Sequence, residues 1–325
     1  MKNKIIKKYI VYFFIFILII GIIISLWNQN NAEGYTNGSE ETVKYVSSRG
    51  ILHSCDVIPI DITSSTTKVT IDYSKIKEGS VVYIHGSAIP EFSRNLNKLQ
   101  HKIILVSGDS DESIPDMVFD TDDDFKKFIE SDKIIHWYSQ NCVGNHPKLS
   151  SIPIGLDYHS RGDKMSAIEQ EAEIMKIKNE AKPFYERLIQ CYSNFHFNIS
   201  SSKFGYDRTD AINKIDKKLI FYEPSQVSRL DTFKNQSKYA FVVSPHGNGL
   251  DCHRTWEALC LGCIPIIKTS PFDSLFNNLP VLIVNDWSDI THELLEKTVF
   301  DFSNRTFNYD KLHLKYWMNI IRTIK

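Results

Sequence analysis

Residues 239–267 read YAFVVSPHGNGLDCHRTWEALCLGCIPII, and the order of elements in this stretch decides the fold. Tyr239–Val243 is a short, solidly apolar run, the pattern of a buried strand. A loop follows in which Gly247 and Gly249 flank Asn248. From about Cys252 to Leu261 the apolar positions recur at helical spacing, Gly262 stops the helix, and Ile264–Ile267 is a second apolar run. Strand, glycine loop, helix and strand make one βαβ unit, which requires parallel pairing. Glycine permits positive φ and close approach of a ligand to the backbone. The free N–H groups of the helix point back at that loop, which makes a site for an anion such as phosphate. Arg254, in the first turn, adds a forked cationic contact. Glu257 is three residues further on, on the same face, placed to accept from ribose hydroxyls. Asp251 stands where a helix cap is expected. The same glycines also serve a plain turn, so the loop alone leaves both readings open. A dinucleotide oxidoreductase is excluded: Cys252 stands where the third glycine belongs, and Lys268 follows the next strand where an acid is needed.

Outward from this unit the pattern repeats. Val281–Val284 is a further strand, and Leu312, Leu314, Trp317, Ile320, Ile321 and Ile324 mark an amphipathic terminal helix. Ile189–Phe197 and Lys218–Tyr222 read as strands, with Arg208 after the first of them. Residues 164–191 are charged and helical in period up to Pro183. Nearer the N-terminus, Val81–Ile84, Ile103–Val106, Ile134–Trp137 and Ser151–Ile154 are apolar runs bounded by turns, with helices expected at Glu91–Leu99 and Asp122–Ser131. Unbroken apolar runs suit buried parallel strands better than a half-exposed antiparallel sheet. The expectation is an α/β protein of two doubly wound, Rossmann-like domains facing a cleft, at 47–162 and 163–325.

Tyr9 to Trp27 (YIVYFFIFILIIGIIISLW) carries no charge over 19 residues. At 1.5 Å per residue it spans about 28 Å, close to the hydrocarbon thickness of a bilayer. Lys2, Lys4, Lys7 and Lys8 precede it and no Lys or Arg follows until Lys44, so the short tail 1–8 is expected to remain cytoplasmic. A cleaved signal peptide would have a shorter apolar core and a small-residue cleavage site, and Ser25-Leu26-Trp27-Asn28 is a poor one. Residues 9–27 therefore read as one transmembrane signal anchor, with 28–46 as a polar stem.

Lys+Arg total 38 against 39 Asp+Glu, a net charge of −1, which is not the basic field of a non-specific nucleic-acid binder. With 42% hydrophobic and 24% charged residues the chain is neither disordered nor fibrous. Cys55, Cys142, Cys191, Cys252, Cys260 and Cys263 permit disulfides in an oxidising compartment. Cys260-x-x-Cys263 lacks the second pair of a zinc site, and Cys252 and Cys260 read as small buried helix residues. Sequons at Asn37, Asn198, Asn235 and Asn304 are compatible with a lumenal domain.

FVVSPHGNGLDCHRTWEALCLGCIPII, with Leu279-Pro280 and Asp286-Trp287 downstream, resembles the C-terminal motif of exostosin-type glycosyltransferases. The resemblance is strong over 238–288, looser over 194–229 and nearly absent before 151. It implies a type II Golgi or ER membrane enzyme of GT-B fold, with a lumenal catalytic domain, a nucleotide-sugar donor (usually UDP-linked) and a glycan or glycoprotein acceptor. No cofactor is required, although a divalent metal is compatible. His246, Gly247, Asn248 and Gly249 would form the diphosphate loop, Arg254 would neutralise phosphate and Glu257 would hold ribose. Arg208 is a further candidate for the diphosphate, and Asp251 has a structural role.

Glycosyl transfer needs a base near the acceptor hydroxyl. His85, Asp109, Asp111 and Asp157 all stand at strand ends, and Asp109, directly after ILVSG, is the choice. Asp109-Ser110-Asp111 is also a D-x-D, the metal-chelating signature of GT-A transferases, which is the alternative enzyme reading. The alternative outside enzymes is a non-catalytic, membrane-tethered glycan-binding protein. The lysine asymmetry predicts that microsomal membranes shield residues 28–325 from added protease. Digestion of that region from the cytoplasmic side would refute a lumenal enzyme.

Overall fold

Val81–Ile84 and Ile103–Val106 are apolar on both sides of the strand, so a sheet built from them must be covered on both faces. The computed structural model describes residues 40–160, 165–195, 204 and 206–324, and shows how this is achieved. The first sheet comprises β1 (Ser80–His85), β2 (Ile103–Gly108), β3 (Ile134–Ser139) and β4 (Leu149–Ser151), all parallel and in the order β1-β2-β3-β4. Preceding them is α1 (Ser48–His53), capped by the Ser47 side chain; α2 (Ile89–Arg94) and α3 (Asp122–Ile129) connect β1 to β2 and β2 to β3. Strands added in one direction by right-handed crossovers put those connecting helices on one face. Val82, Ile84, Ile103, Leu105 and Trp137 accordingly pack with Ile89, Phe92, Phe128 and Ile129.

The opposite face presents Val81, Tyr83, Ile104, Val106 and Tyr138, and among the described residues the first half has only α1 to lay on it. The last helix of the chain completes the cover. It is the last of the helices α4 (Ala167–Glu180), α5 (Tyr206–Lys214), α6 (Arg229–Gln236), α7 (His253–Cys260), α8 (His292–Ser303) and α9 (Leu314–Thr323) that continue the sequence. Leu314, Trp317, Met318 and Ile321 of α9 join Ile51 and Leu52 of α1 in the same core. Backbone bonds fix its approach: Val46 N–H donates to Leu312 O (2.9 Å) and Leu314 N–H to Lys44 O (2.9 Å). The Tyr138 hydroxyl donates to Ile320 O, and Arg322 pairs with Asp56 at 2.9 Å.

The second sheet contains β5 (Leu188–Ser193), β6 (Ile220–Tyr222), β7 (Tyr239–Val243), β8 (Ile264–Lys268) and β9 (Leu282–Val284), again all parallel. Its order is β6-β5-β7-β8-β9, so the direction of winding reverses between β5 and β7. Both faces are covered from within: Phe241, Val243, Ile264 and Ile266 pack on α5 and α8, whereas Val242 and Ile267 pack on α7 and, through Ile174 and Phe233, on α4 and α6. The βαβ unit expected at 239–267 is present. Gly262, at φ +73°, lets Cys263 N–H reach Ala258 O and its own N–H reach Leu259 O, the paired bonds of a Schellman stop.

Two expectations need correction. Only the second half is doubly wound, because the first sheet never reverses its order. The helix expected at Glu91–Leu99 starts earlier and stops at Arg94, giving way to a 3₁₀ turn at Leu96–Lys98. The expected tail, anchor and most of the stem lie outside the described residues, and no helix among the described residues is long and apolar enough to cross a membrane.

The core that α9 completes runs without a break from the first sheet to α7, and this predicts one cooperative unfolding transition. Ile321 is fully buried, so Ile321→Ala should destabilise the whole chain by about 2–5 kcal/mol. A urea titration of the full chain in mild detergent should show one transition moved to lower urea. A separate early transition confined to the first half would refute the shared core.

Candidate functional site

In open α/β sheets ligands collect at the carboxyl ends of the strands where the winding reverses. Here that point lies between β5 and β7, and the loop leaving β7 is Ser244–Cys252, which carries the two glycines. The helix after β5, α5, contributes Arg208 and Asp207. The buried Arg208 guanidinium donates from Nε to His246 O (3.2 Å). Asp207 accepts from His246 N–H (2.9 Å) and from Trp287 Nε1 (2.7 Å), which ties the Asp286-Trp287 segment to the glycine loop. His246 lies 2.8 Å through Nδ1 from Leu250 O. A carbonyl only accepts, so Nδ1 carries the proton. Gly247 N–H donates to Gly249 O (3.0 Å) and closes the turn.

The glycines bring the loop close to neighbouring side chains and do not serve a positive φ. A Cβ on Gly247 would stand 3.0 Å from the Arg208 guanidinium, and one on Gly249 would stand 2.8 Å from the Asn141 amide. Neither residue adopts a left-handed φ. Asn141, from the end of β3, itself has φ +49°, and holds both halves: its amide donates to Ser110 O (3.1 Å) and its oxygen accepts from Asp251 N–H (2.9 Å).

Asp251 is structural as expected, but not as the helix cap. Cys252 occupies that position and makes no side-chain cap bond. The buried Asp251 carboxylate accepts instead from Ile154 N–H of the first half (2.7 Å), from Cys252 N–H (3.0 Å) and from Trp256 Nε1 (2.9 Å). Burial pushes its pKa up to about 7 even though all three neighbours are donors. His253 adds a second tie, its Nδ1 lying 2.8 Å from Gly155 O.

Arg254 is half buried beside the loop. Its guanidinium reaches Pro245 O (3.4 Å) and lies over the Phe195 ring at 5.5 Å. Arg208 and Arg254 thus approach the loop from α5 and α7. Asn248, at the tip, is exposed. Glu257 does not pair with Arg254. It is buried, and its Oε1 accepts from Arg229 of α6 at 2.9 Å; Arg229 also donates to Gln170 at 2.6 Å. Its other oxygen makes no hydrogen bond to the described residues.

Asp109 stands at the carboxyl end of β2, as expected, but at φ +52° it turns into the protein. Its two oxygens accept from the Ser64 hydroxyl (3.0 Å) and lie at ion-pair distance from Arg49 (3.7 Å), His85 (3.7 Å) and His159 (3.6 Å). Against burial, these neighbours hold its carboxyl below the ordinary range. His85 is buried and held low by desolvation. Asp157 is buried and bonded to the His159 and Ser160 amides. Of the four base candidates only Asp111 is exposed, where it receives a hydrogen bond from the Asn248 side chain across the cleft. Asp109 and Asp111 therefore diverge instead of forming a two-carboxylate clamp. Among the described residues no three His, Cys, Asp or Glu side chains converge as a metal set, and none of the six cysteines is disulfide-bonded.

Sequence reading missed Asp207, Asn141, Arg229, His159 and His253. Asp207 and His253 adjoin residues already singled out, and that adjacency was the available signal. Asn141, Arg229 and His159 carry no local pattern, and only the packing of distant segments brings them in.

No family model and no curated protein matches the chain. Among solved structures it is similar to an alpha,alpha-trehalose-phosphate synthase (UDP-forming) from Burkholderia vietnamiensis, at 11% identity and a TM-score of 0.35, covering 77% of this chain and 72% of that one. At those values the likeness assigns neither family nor activity.

His159 generates a pH prediction. Burial opposes its charge, but Asp109, Glu40 (3.5 Å) and Asp157 (3.8 Å) surround the ring and raise its pKa to about 9. Its ordinary value is about 6.5. The stabilisation is therefore complete below about pH 6.5 and is lost as pH rises through about 9. Melting temperatures of the full chain should fall between pH 6.5 and 9.5, and His159→Gln should flatten that slope. An equal slope in the variant would show that His159 is not cationic in the fold.

Proposed function

We propose that the chain is a membrane-anchored glycosyltransferase that moves a sugar from a nucleotide donor, UDP-linked, to a glycan or glycoprotein acceptor. The supporting observation is the placement of the 245–252 loop at the switch point of the second sheet, between Arg208 and Arg254. In this reading the diphosphate lies against the backbone of His246, Gly247, Asn248 and Gly249. The two guanidiniums and the N-terminus of α7 take up the charge that develops on the leaving oxygen, which is the largest demand of the reaction. Arginines pre-set for that charge do the work of a divalent ion, so no resident cofactor is needed. Glu257, oriented by Arg229, offers its second oxygen to the ribose hydroxyls. Asp251 and Asn141 hold the loop against the first half, where the acceptor would sit.

The exostosin-type resemblance at 238–288 supports the same chemistry and supplies the choice of UDP. Together with the apolar segment 9–27 it supports a type II protein of the Golgi or ER with its catalytic domain in the lumen. The GT-B arrangement is supported by two parallel-sheet halves whose strand ends meet across the loop.

Arg254→Ala should remove a charge-assisted phosphate contact worth about 1.5–3 kcal/mol. Calorimetry on the full chain in detergent should show UDP affinity reduced roughly 10- to 100-fold, with an unchanged circular dichroism spectrum. Undiminished UDP affinity would place the nucleotide elsewhere.

A further inference from the structure

We propose that Asp111, and not the buried Asp109, is the base that removes the acceptor proton, acting from the first half on a donor held by the second. The assignment rests on the nucleotide-sugar reading above. The transferred sugar is bonded to the terminal phosphate of the donor. A diphosphate cradled at 246–249 would put the anomeric carbon next to the loop, which Asn141 and Asp251 hold against the first half. Asp111 is the carboxylate at that place: it is exposed in the cleft and bonded to the Asn248 side chain at the loop tip.

The backbone explains why neighbouring carboxylates have different fates. Asp109 N–H donates to Gln140 Oε1 (2.8 Å), and the left-handed φ of Asp109 directs its side chain inward to Arg49, His85 and His159. The Ser110 carbonyl is then pinned by Asn141 (3.1 Å), and Asp111 emerges on the cleft side. A base must be reachable and must hold a proton well enough to take one. Asp109 fails on both counts, being buried and stabilised in its charged form. Asp111 satisfies both: it is exposed, and partial desolvation raises its pKa, opposed by the Asn248 bond and His253 and helped by Glu112 and Asp109. His253 belongs to α7, where its bond to Gly155 O fixes the ring.

The step balances. The acceptor hydroxyl gives its proton to the Asp111 carboxylate, and the oxygen's electron pair forms the bond to the anomeric carbon. The bond from that carbon to the diphosphate oxygen breaks, its electrons leaving on the nucleoside diphosphate beside Arg208 and Arg254. The proton on Asp111 passes to solvent in the open cleft. A single displacement inverts the anomeric centre.

The test uses the full chain in detergent micelles, with UDP-glucose, UDP-galactose, UDP-N-acetylglucosamine and UDP-glucuronate as probes and water as the acceptor. UDP release gives the rate, calorimetry gives UDP affinity, and proton NMR gives the anomer of the released sugar. Asp111→Asn should keep UDP affinity within about twofold. It should slow UDP release by at least about 100-fold and abolish the fall in rate on the acid side of the pH profile. Asp111→Glu should recover part of the rate, and the wild type should release the inverted anomer. A rate in Asp111→Asn within threefold of wild type would overturn the assignment. So would a retained anomer, a loss of UDP affinity equal to the loss of rate, or an Asp109→Asn variant that alone loses turnover. UDP binding without release from any probe would overturn the base while leaving the nucleotide site, and absence of UDP binding would remove the site and the base together.

Discussion

The uncovered face of the first sheet is the constraint on which the rest depends. Four parallel strands added in one direction place their connecting helices on one side, and the other side keeps Val81, Tyr83, Ile104, Val106 and Tyr138. Apolar area contributes roughly 25 cal/mol per Å² when removed from water, so that face must find a partner. The chain supplies it from its far end, where α9 returns across the molecule to lie beside α1. The return joins the halves in one core reaching to Trp256 and Leu259 of α7, the helix that carries Arg254 and Glu257.

Within that frame polar contacts tie the halves together at the loop. Asp251 gathers three N–H donors from both halves, and Asn141 bonds to Ser110 on one side and Asp251 on the other. Buried carboxylates are tolerated where donors or cations meet them. Glu171 illustrates the rule, accepting from the Lys44 and Tyr45 amides and from the Tyr158 hydroxyl. These groups order the loop and leave charge to the residues that stay accessible, Arg254 and Asp111. Two non-glycine residues with left-handed φ, Asp109 and Asn141, end adjacent strands at this seam, and such strain collects where a site over-determines its backbone.

The sequence by itself determined the βαβ unit at 239–267, its stop at Gly262 and the apolar strands of both halves. These follow from periodicity, turn chemistry and helix ends, all set by residues a few positions apart. Tertiary structure decided the rest. Whether Asp109 or Asp111 faces the cleft depends on Gln140, Arg49 and His159; which cation meets Glu257 depends on Arg229; where the terminal helix docks depends on a sheet more than 160 residues earlier. Amphipathic spacing shows that α9 has an apolar face and not what will cover it, because burial and side-chain direction are fixed by segments that meet only once the chain has closed on itself.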